Sequence, residues 1–186
     1  MRIIAGAWRG RKLAVPAGFE VRPTSARARE AVFNRLAHGF TERGFRLPGA
    51  VVADLFAGTG AFGFEALSRG AAFASFIDTA PEIAARLAEA AARLGAEDRV
   101  SVMTGDATRL PRPPRRCDLA FLDPPYGAGL AAPALGSLVA MGWLRPGALV
   151  VVEQGDDEPV LAVAGLAPID ERRYGRARVL FMQADA

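Results

Sequence analysis

The sequence predicts an α/β fold in which helices flank a mostly parallel sheet, and three observations lead to this prediction. Short apolar segments alternate with amphipathic segments of about ten residues, the pattern of β–α–β units. The 186 residues are 51% hydrophobic and 23% charged, a composition typical of one globular domain. Cys117 is the single cysteine, which excludes a fold built on intrachain disulfides.

The positive charge of the chain is concentrated at its start. Residues 1–48 contain 10 lysines and arginines against 3 acidic residues, whereas the whole chain has a net charge of +3. We therefore expect one domain over residues 1–186, with a basic extension over 1–48 and a core over 49–186. Such an extension suits a polyanionic partner, although a solvated surface is the alternative. No apolar run approaches the roughly 20 residues of a membrane span, and no signal-peptide block begins the chain, so we expect a cytoplasmic protein.

The elements follow one another in a regular order. Residues 2–13 form two short segments broken by glycines, which predicts a hairpin, and Pro23-Thr24-Ser25 suits the start of a helix. After the turn at Pro48-Gly49, strands are expected at residues 50–56, 73–77, 100–103, 118–122 and 148–153, and helices at 62–67, 81–94 and 130–141. Residues 172–182 are expected to form one further strand after a hairpin.

Four aspartates fall at or just beyond the ends of successive predicted strands: Asp54, Asp78, Asp106 and Asp123. Because parallel sheets bind ligands beyond the carboxyl ends of their strands, these carboxylates should meet at one edge. Each could instead be a local cap, but four in register are harder to explain in that way.

The glycine-rich loop at residues 58–63 matches G-x-G-x-x-G, a motif that is weak by itself. A dinucleotide pyrophosphate would be repelled by the adjacent Asp54. S-adenosylmethionine carries an ammonium and a sulfonium, which a carboxylate favours. Asp78 can accept hydrogen bonds from ribose hydroxyls, and Asp106 can accept one from the adenine amine.

A second motif, Asp123-Pro124-Pro125-Tyr126, follows an apolar strand. Its prolines stiffen the loop and leave carbonyls as acceptors. Asp123 and the carbonyl of Pro124 can therefore hold the hydrogens of an exocyclic amine, while Tyr126 offers a ring on which a base can stack. We expect these four residues to form the catalytic loop, although the same letters also occur in ordinary turns.

Together, the two motifs resemble those of class I S-adenosylmethionine-dependent amino-methyltransferases. More narrowly, the chain resembles the RsmD family, bacterial guanine-N2 methyltransferases of small-subunit (16S) ribosomal RNA. Further matches run along nearly the whole chain in the family order, at residues 2–6, 10–11, 22–24, 29–34, 174–175 and 179–181. The Arg22-Pro23-Thr24 segment narrows the match to this family.

The resemblance implies a Rossmann-like, seven-stranded sheet with an antiparallel last strand, and an N-terminal extension that helps to hold RNA. It implies S-adenosylmethionine as cofactor and ribosomal RNA or the small subunit as partner; a monomer is our default. The expected cofactor-binding residues are Asp54, Phe56, Ala57, Gly58, Thr59, Gly60, Asp78, Asp106 and Ala107. The expected RNA contacts are Arg9, Arg11, Lys12, Arg22, Thr24, Arg27 and Arg29.

Other functions stay open at this point. The same amine-binding loop serves adenine-N6 methylation of DNA and methylation of protein amides, and a degenerate fold could bind RNA without catalysis. The chain length argues against a DNA enzyme with its own recognition domain, and the complete pair of motifs argues against loss of catalysis. No histidine and cysteine cluster has the spacing of metal ligands, so no metal is expected.

Overall fold

A computed structural model of the protein describes residues 1–14, 23–159 and 161–185. Its centre is a seven-stranded sheet in the order β3-β2-β1-β4-β5-β7-β6. Strands β1 to β5 pair in parallel, and β7 runs antiparallel to both of its neighbours. The strands are β1 Val51–Leu55, β2 Phe73–Asp78, β3 Val100–Thr104, β4 Cys117–Leu122, β5 Leu144–Gly155, β6 Leu166–Tyr174 and β7 Ala177–Ala184.

Within the described residues, four α-helices cover the two faces of the sheet: α1 Pro23–His38, α2 Ala61–Ser68, α3 Pro81–Leu94 and α4 Ala131–Ala140. The apolar sides of α1, α2 and α3 share one buried cluster with alternate strand residues. The apolar side of α4 joins a second cluster on the opposite face. These layers confirm the α/β architecture and the mostly parallel sheet predicted from the sequence.

The C-terminal region differs from the sequence prediction of one further strand over residues 172–182. Strand β6 ends at Tyr174, and strand β7 begins at Ala177. The physical reason is the turn between them, where Gly175 adopts a positive φ of 63°, a conformation that costs glycine little. The region is therefore a β-hairpin that adds two strands to the sheet edge.

Helix α2 packs against the sheet at Gly63 with no room for a side chain. A Cβ on Gly63 would lie 2.3 Å from Cε1 of Phe76 in β2. A side chain at this position would therefore push the helix away from the sheet. The third glycine of the G-x-G-x-x-G pattern is thus explained by packing between a helix and a strand.

The N-terminal hairpin is attached to α2 by a buried carboxylate. The hairpin predicted over residues 2–13 is present, and a backbone bridge between Arg2 and Lys12 closes it. Glu65 of α2 is fully buried and accepts hydrogen bonds from the backbone N–H groups of Ile4 at 2.7 Å and Ala5 at 3.0 Å. Its carboxylate also forms an ion pair with Arg69 at 2.8 Å. The hairpin is therefore fixed to the helix that follows the glycine-rich loop.

Candidate active site

The four predicted aspartates lie along one edge of the sheet, in the order of the strands that carry them. Asp106 follows β3, Asp78 ends β2, Asp54 is the penultimate residue of β1, and Asp123 follows β4. Asp54 is buried, Asp78 is half-buried, and Asp106 and Asp123 are exposed. The sequence prediction that these carboxylates share the carboxyl edge is confirmed by this arrangement. Their roles in binding stay predictions.

The glycine-rich loop leaves β1 through a strained residue. Phe56 has a φ of 58°, the one positive φ on a non-glycine residue among those described, and such a conformation costs about 1–3 kcal/mol. The N–H of Ala57 then donates to the carbonyl of Ile77 at 3.0 Å. The N–H of Gly58 donates to Oδ2 of Asp78 at 2.9 Å. The loop is thus held against β2, with Asp78 as its anchor.

Asp54 lies in the most unusual electrostatic environment of the site. Its side chain is 2% exposed, and Oδ2 accepts a hydrogen bond from the N–H of Gly63 at 2.8 Å. Burial raises the pKa of Asp54 to about 8, and the charges of Asp123 and Asp78 add to this rise, against the hydrogen bond and the charge of Arg29. A cation bound beside this group would stabilise its ionised form.

The Asp123-Pro124-Pro125-Tyr126 loop continues directly from β4, next to Asp54. Pro124 is buried, whereas Asp123 and Pro125 are exposed. The hydroxyl of Tyr126 donates to Oε1 of Glu153 at 2.6 Å. The N–H of Gly127 donates to Glu158 at 3.2 Å. The loop is therefore fixed to the end of β5, with the carboxylate of Asp123 at the surface.

Glu153 is a site residue that the sequence analysis missed. It lies near the end of β5 and contributes to an open cleft of about 1180 Å³, whose lining also includes Tyr126, Glu158, Tyr174 and Arg176. The signal was present in the sequence, because the predicted strand 148–153 also ends on a carboxylate.

Asp106 and Ala107 lie at the outer end of this edge. The side chain of Asp106 accepts hydrogen bonds from the N–H and the hydroxyl of Thr108, both at 2.8 Å. These bonds lower the pKa of Asp106 from its ordinary value. Ala107 is buried beneath the short turn at Ala107–Arg109. Asp106 is thus an exposed and ionised carboxylate at the outer end of this edge.

The predicted RNA-contact residues differ in their exposure to solvent. Arg9, Arg11, Lys12 and Arg27 are exposed, as phosphate contacts must be. Arg22 lies outside the described residues, as does the side chain of Thr24.

Arg29 corrects the sequence prediction. It is 2% exposed, and Nη2 donates to the carbonyl of Arg2 at 2.9 Å. Its Nε lies 3.9 Å from the carboxylate of Glu65. Arg29 is therefore an internal support of the hairpin and is not placed to contact a phosphate.

The basic hairpin runs along α2 from the glycine-rich loop towards the other end of the helix. The hydroxyl of Thr59 in that loop lies 3.4 Å from the sulfur of Met1. At the far end, the N–H of Trp8 donates to the hydroxyl of Ser68 at 2.9 Å. The backbones of Lys12 and Arg2 form a β-bridge near the open end of the hairpin. Arg9 lies beside the tip. The hairpin that carries the exposed cations therefore lies along α2 between the glycine-rich loop and Ser68.

The strand order, the reversed β7 and the glycine-rich loop at the end of β1 define a class I methyltransferase fold. The solved structure of yhhF from Escherichia coli, provisionally described as a methyltransferase, has a TM-score of 0.85 and 34% identity, covering 100% of this chain and 98% of that one. Proteins named ribosomal RNA small subunit methyltransferase D are also similar. The one from Escherichia coli is 39% identical over 82% of this chain and 74% of its own. The one from Haemophilus influenzae is 34% identical over 94% and 89%.

The family model described as "Conserved hypothetical protein 95" matches residues 1–183. The chain belongs to the ribosomal RNA small subunit methyltransferase D family, as its motifs indicated. Within residues 1–14, 23–159 and 161–185, no helix is long and apolar enough to cross a membrane. The same part of the chain contains no group of three or more histidine, cysteine or acidic side chains placed to hold a metal ion.

Proposed function

We propose that this protein transfers a methyl group from S-adenosylmethionine to the N2 amine of a guanine in small-subunit ribosomal RNA. The observation that carries the proposal is the position of the Asp123–Tyr126 loop beside the glycine-rich loop, in a chain 34–39% identical to proteins named for ribosomal RNA methylation. In this proposal, the loop that holds the amine and the loop that holds the methyl donor are neighbours on one edge of the sheet.

The residues of the glycine-rich loop suit S-adenosylmethionine. Gly58 and Gly60 have positive φ values of 50° and 71°. The absence of a Cβ on Gly58 lets a ligand approach the backbone closely, whereas a Cβ on Gly60 would lie 2.6 Å from Cδ2 of Leu87, so Gly60 is required by packing. Asp54 supplies a carboxylate that a cation would stabilise in its ionised form. Asp78 keeps acceptor capacity for ribose hydroxyls, because each carboxylate oxygen can accept two hydrogen bonds. The bound S-adenosylmethionine supplies an activated methyl group.

The catalytic contribution of the protein is positioning. Asp123 and the carbonyl of Pro124 accept the two hydrogens of the guanine amine and aim its nitrogen lone pair at the methyl carbon. The ring of Tyr126, fixed by its bond to Glu153, stacks on the base. Holding the two reactants in line lowers the barrier substantially. The new C–N bond would form as the methyl–sulfur bond breaks, with S-adenosylhomocysteine as the leaving group. The nitrogen must then lose one proton, and the carboxylate of Asp123, which accepts that hydrogen, is placed to receive it. The target base must leave its stack to enter the site, and the exposed cations of the hairpin hold the neighbouring phosphates.

The experiment is a transfer assay with S-adenosylmethionine labelled in its methyl group. The substrates offered are free small-subunit ribosomal RNA, small subunits that lack the modification, and duplex DNA. Label in the ribosomal substrates alone supports the proposal and identifies the assembly stage. Label in DNA would instead favour adenine methylation. Binding of S-adenosylmethionine without transfer to any of these substrates would refute the proposed substrate.

A further inference from the structure

We propose that Glu153 selects guanine by accepting a hydrogen bond from N1–H of the target base. This inference rests on the proposed function and adds a specificity-determining residue to it. The cleft beside the Asp123–Tyr126 loop is then the pocket for the base, and its recognition chemistry is that of the Watson–Crick edge of guanine.

The pairing of the strands places Glu153 beside the amine-binding loop. In the parallel register, Leu122 of β4 pairs with Val152 of β5, so Asp123 and Glu153 are the next residues on neighbouring strands. Adjacent strands are about 4.8 Å apart. Phe121 and Val151, two residues before each, belong to the same buried cluster, so Asp123 and Glu153 also share one face of the sheet.

The carboxylate of Glu153 is fixed but retains acceptor capacity. Oε1 accepts the hydroxyl of Tyr126 at 2.6 Å, which ties the carboxylate to the ring proposed to stack on the base. A carboxylate has two oxygens and about four lone-pair positions. Glu153 is half-buried and lines the cleft, so its remaining acceptor positions are available to a base that enters there.

Guanine presents two neighbouring donors on one edge, the N2 amine and N1–H. If Asp123 and Pro124 hold the amine, the adjacent N1–H falls towards the next acceptor along the edge of the sheet, which is Glu153. Adenine has an unprotonated N1, whose lone pair a carboxylate repels. Glu153 therefore stabilises guanine in the cleft and destabilises adenine there.

The test compares two RNA substrates that differ at the target base, once the modified guanine has been mapped. One contains guanine, and the other contains 2-aminopurine, which keeps the N2 amine but lacks N1–H. Single-turnover rates, which remain measurable at low activity, are determined for the wild type and for Glu153→Gln. The matched control is Asp157→Asn, which removes the same charge from the same cleft at an exposed position. Thermal unfolding and binding of S-adenosylmethionine establish that each variant is folded.

We expect the wild type to prefer guanine by about 10- to 100-fold, the range for loss of a hydrogen bond to a charged group. Glu153→Gln should reduce this preference to a few-fold, because the amide can donate to an unprotonated N1. Asp157→Asn should retain the wild-type preference. Equal wild-type rates on both substrates, or an unchanged preference in Glu153→Gln, would overturn the role of Glu153 while methylation of guanine stands. Absence of wild-type methylation on the guanine substrate would overturn the proposed function itself.

Discussion

Asp54 should couple the binding of S-adenosylmethionine to the release of a proton. Burial raises the pKa of Asp54 to about 8, so the carboxyl is mostly protonated at neutral pH in the free protein. A cation beside it favours the ionised form. Tight binding therefore requires that Asp54 lose its proton, and the affinity should rise with pH.

The magnitude follows from the pKa. With a pKa of about 8, roughly 1% of molecules carry ionised Asp54 at pH 6 and roughly 25% at pH 7.5. If S-adenosylmethionine binds the ionised form alone, its affinity should increase about 25-fold over this range. Asp54→Asn keeps an acceptor for the N–H of Gly63 but cannot ionise, so its affinity should be weak and nearly constant. Comparison with this variant also removes the effect of the ligand's own amino group, which titrates near pH 8.

The assay is calorimetric titration without RNA, at pH values from 6 to 7.5. At pH 6.5, two buffers with different enthalpies of ionisation report the number of protons released. We expect close to one proton per ligand bound for the wild type and close to none for Asp54→Asn. An affinity that changes less than twofold between pH 6 and 7.5, or the same pH dependence in the variant, would refute the proposed contact between Asp54 and the cation.

The stability of the ligand-free protein gives a second readout of the same group. The folded-state pKa of about 8 exceeds the unfolded value of 3.8, so the native state holds a proton that the unfolded state loses. This stabilising contribution is complete below about pH 4 and is lost as the pH rises towards 8. Between pH 6 and 7.5, the free energy of unfolding of the wild type should fall relative to Asp54→Asn by about 2 kcal/mol, measured by urea denaturation.

Two further predictions concern the hairpin. Glu65→Ala should lower the free energy of unfolding by about 3–5 kcal/mol, because it leaves the buried cation of Arg29 without its carboxylate; urea denaturation measures this, and a loss below about 1 kcal/mol would contradict the anchoring role. Removal of three exposed hairpin cations should weaken RNA binding and make its dependence on the logarithm of salt concentration shallower by about 2, as expected for three lost contacts with single-stranded phosphates. Filter binding at several salt concentrations tests the triple alanine variant of Arg9, Arg11 and Lys12. Its matched control is the triple alanine variant of the exposed loop arginines that precede β4, Arg112, Arg115 and Arg116; equal effects of both variants would argue against a specific role for the hairpin.

The sequence was sufficient for the parts of the site that depend on local pattern. Alternation of apolar strands and amphipathic helices predicted the parallel sheet, and the parallel sheet placed Asp54, Asp78, Asp106 and Asp123 on one edge. The motif at Asp123–Tyr126 is contiguous, so its position followed from β4 alone. These predictions needed no knowledge of contacts between distant residues.

The errors and omissions concern contacts over long sequence separations. Arg29 looked like another exposed cation of a basic segment, because nothing nearby in the sequence reveals that Glu65, 36 positions later, lies beside it. Glu153 becomes part of the site through its bond to Tyr126, 27 positions earlier. The strand count at the C-terminus depended on whether Gly175 formed a turn. Only the folded chain brings these partners together.

The most direct test of the central claim is the identity of the methylated nucleoside. Small-subunit ribosomal substrates are incubated with S-adenosylmethionine that carries a deuterated methyl group, then digested and analysed by mass spectrometry. We predict label in N2-methylguanosine with the wild type and almost none with folded Asp123→Ala, which loses the carboxylate that orients the amine. Label in another nucleoside would contradict the proposed substrate, and near-normal N2-methylguanosine from Asp123→Ala would contradict the proposed role of Asp123.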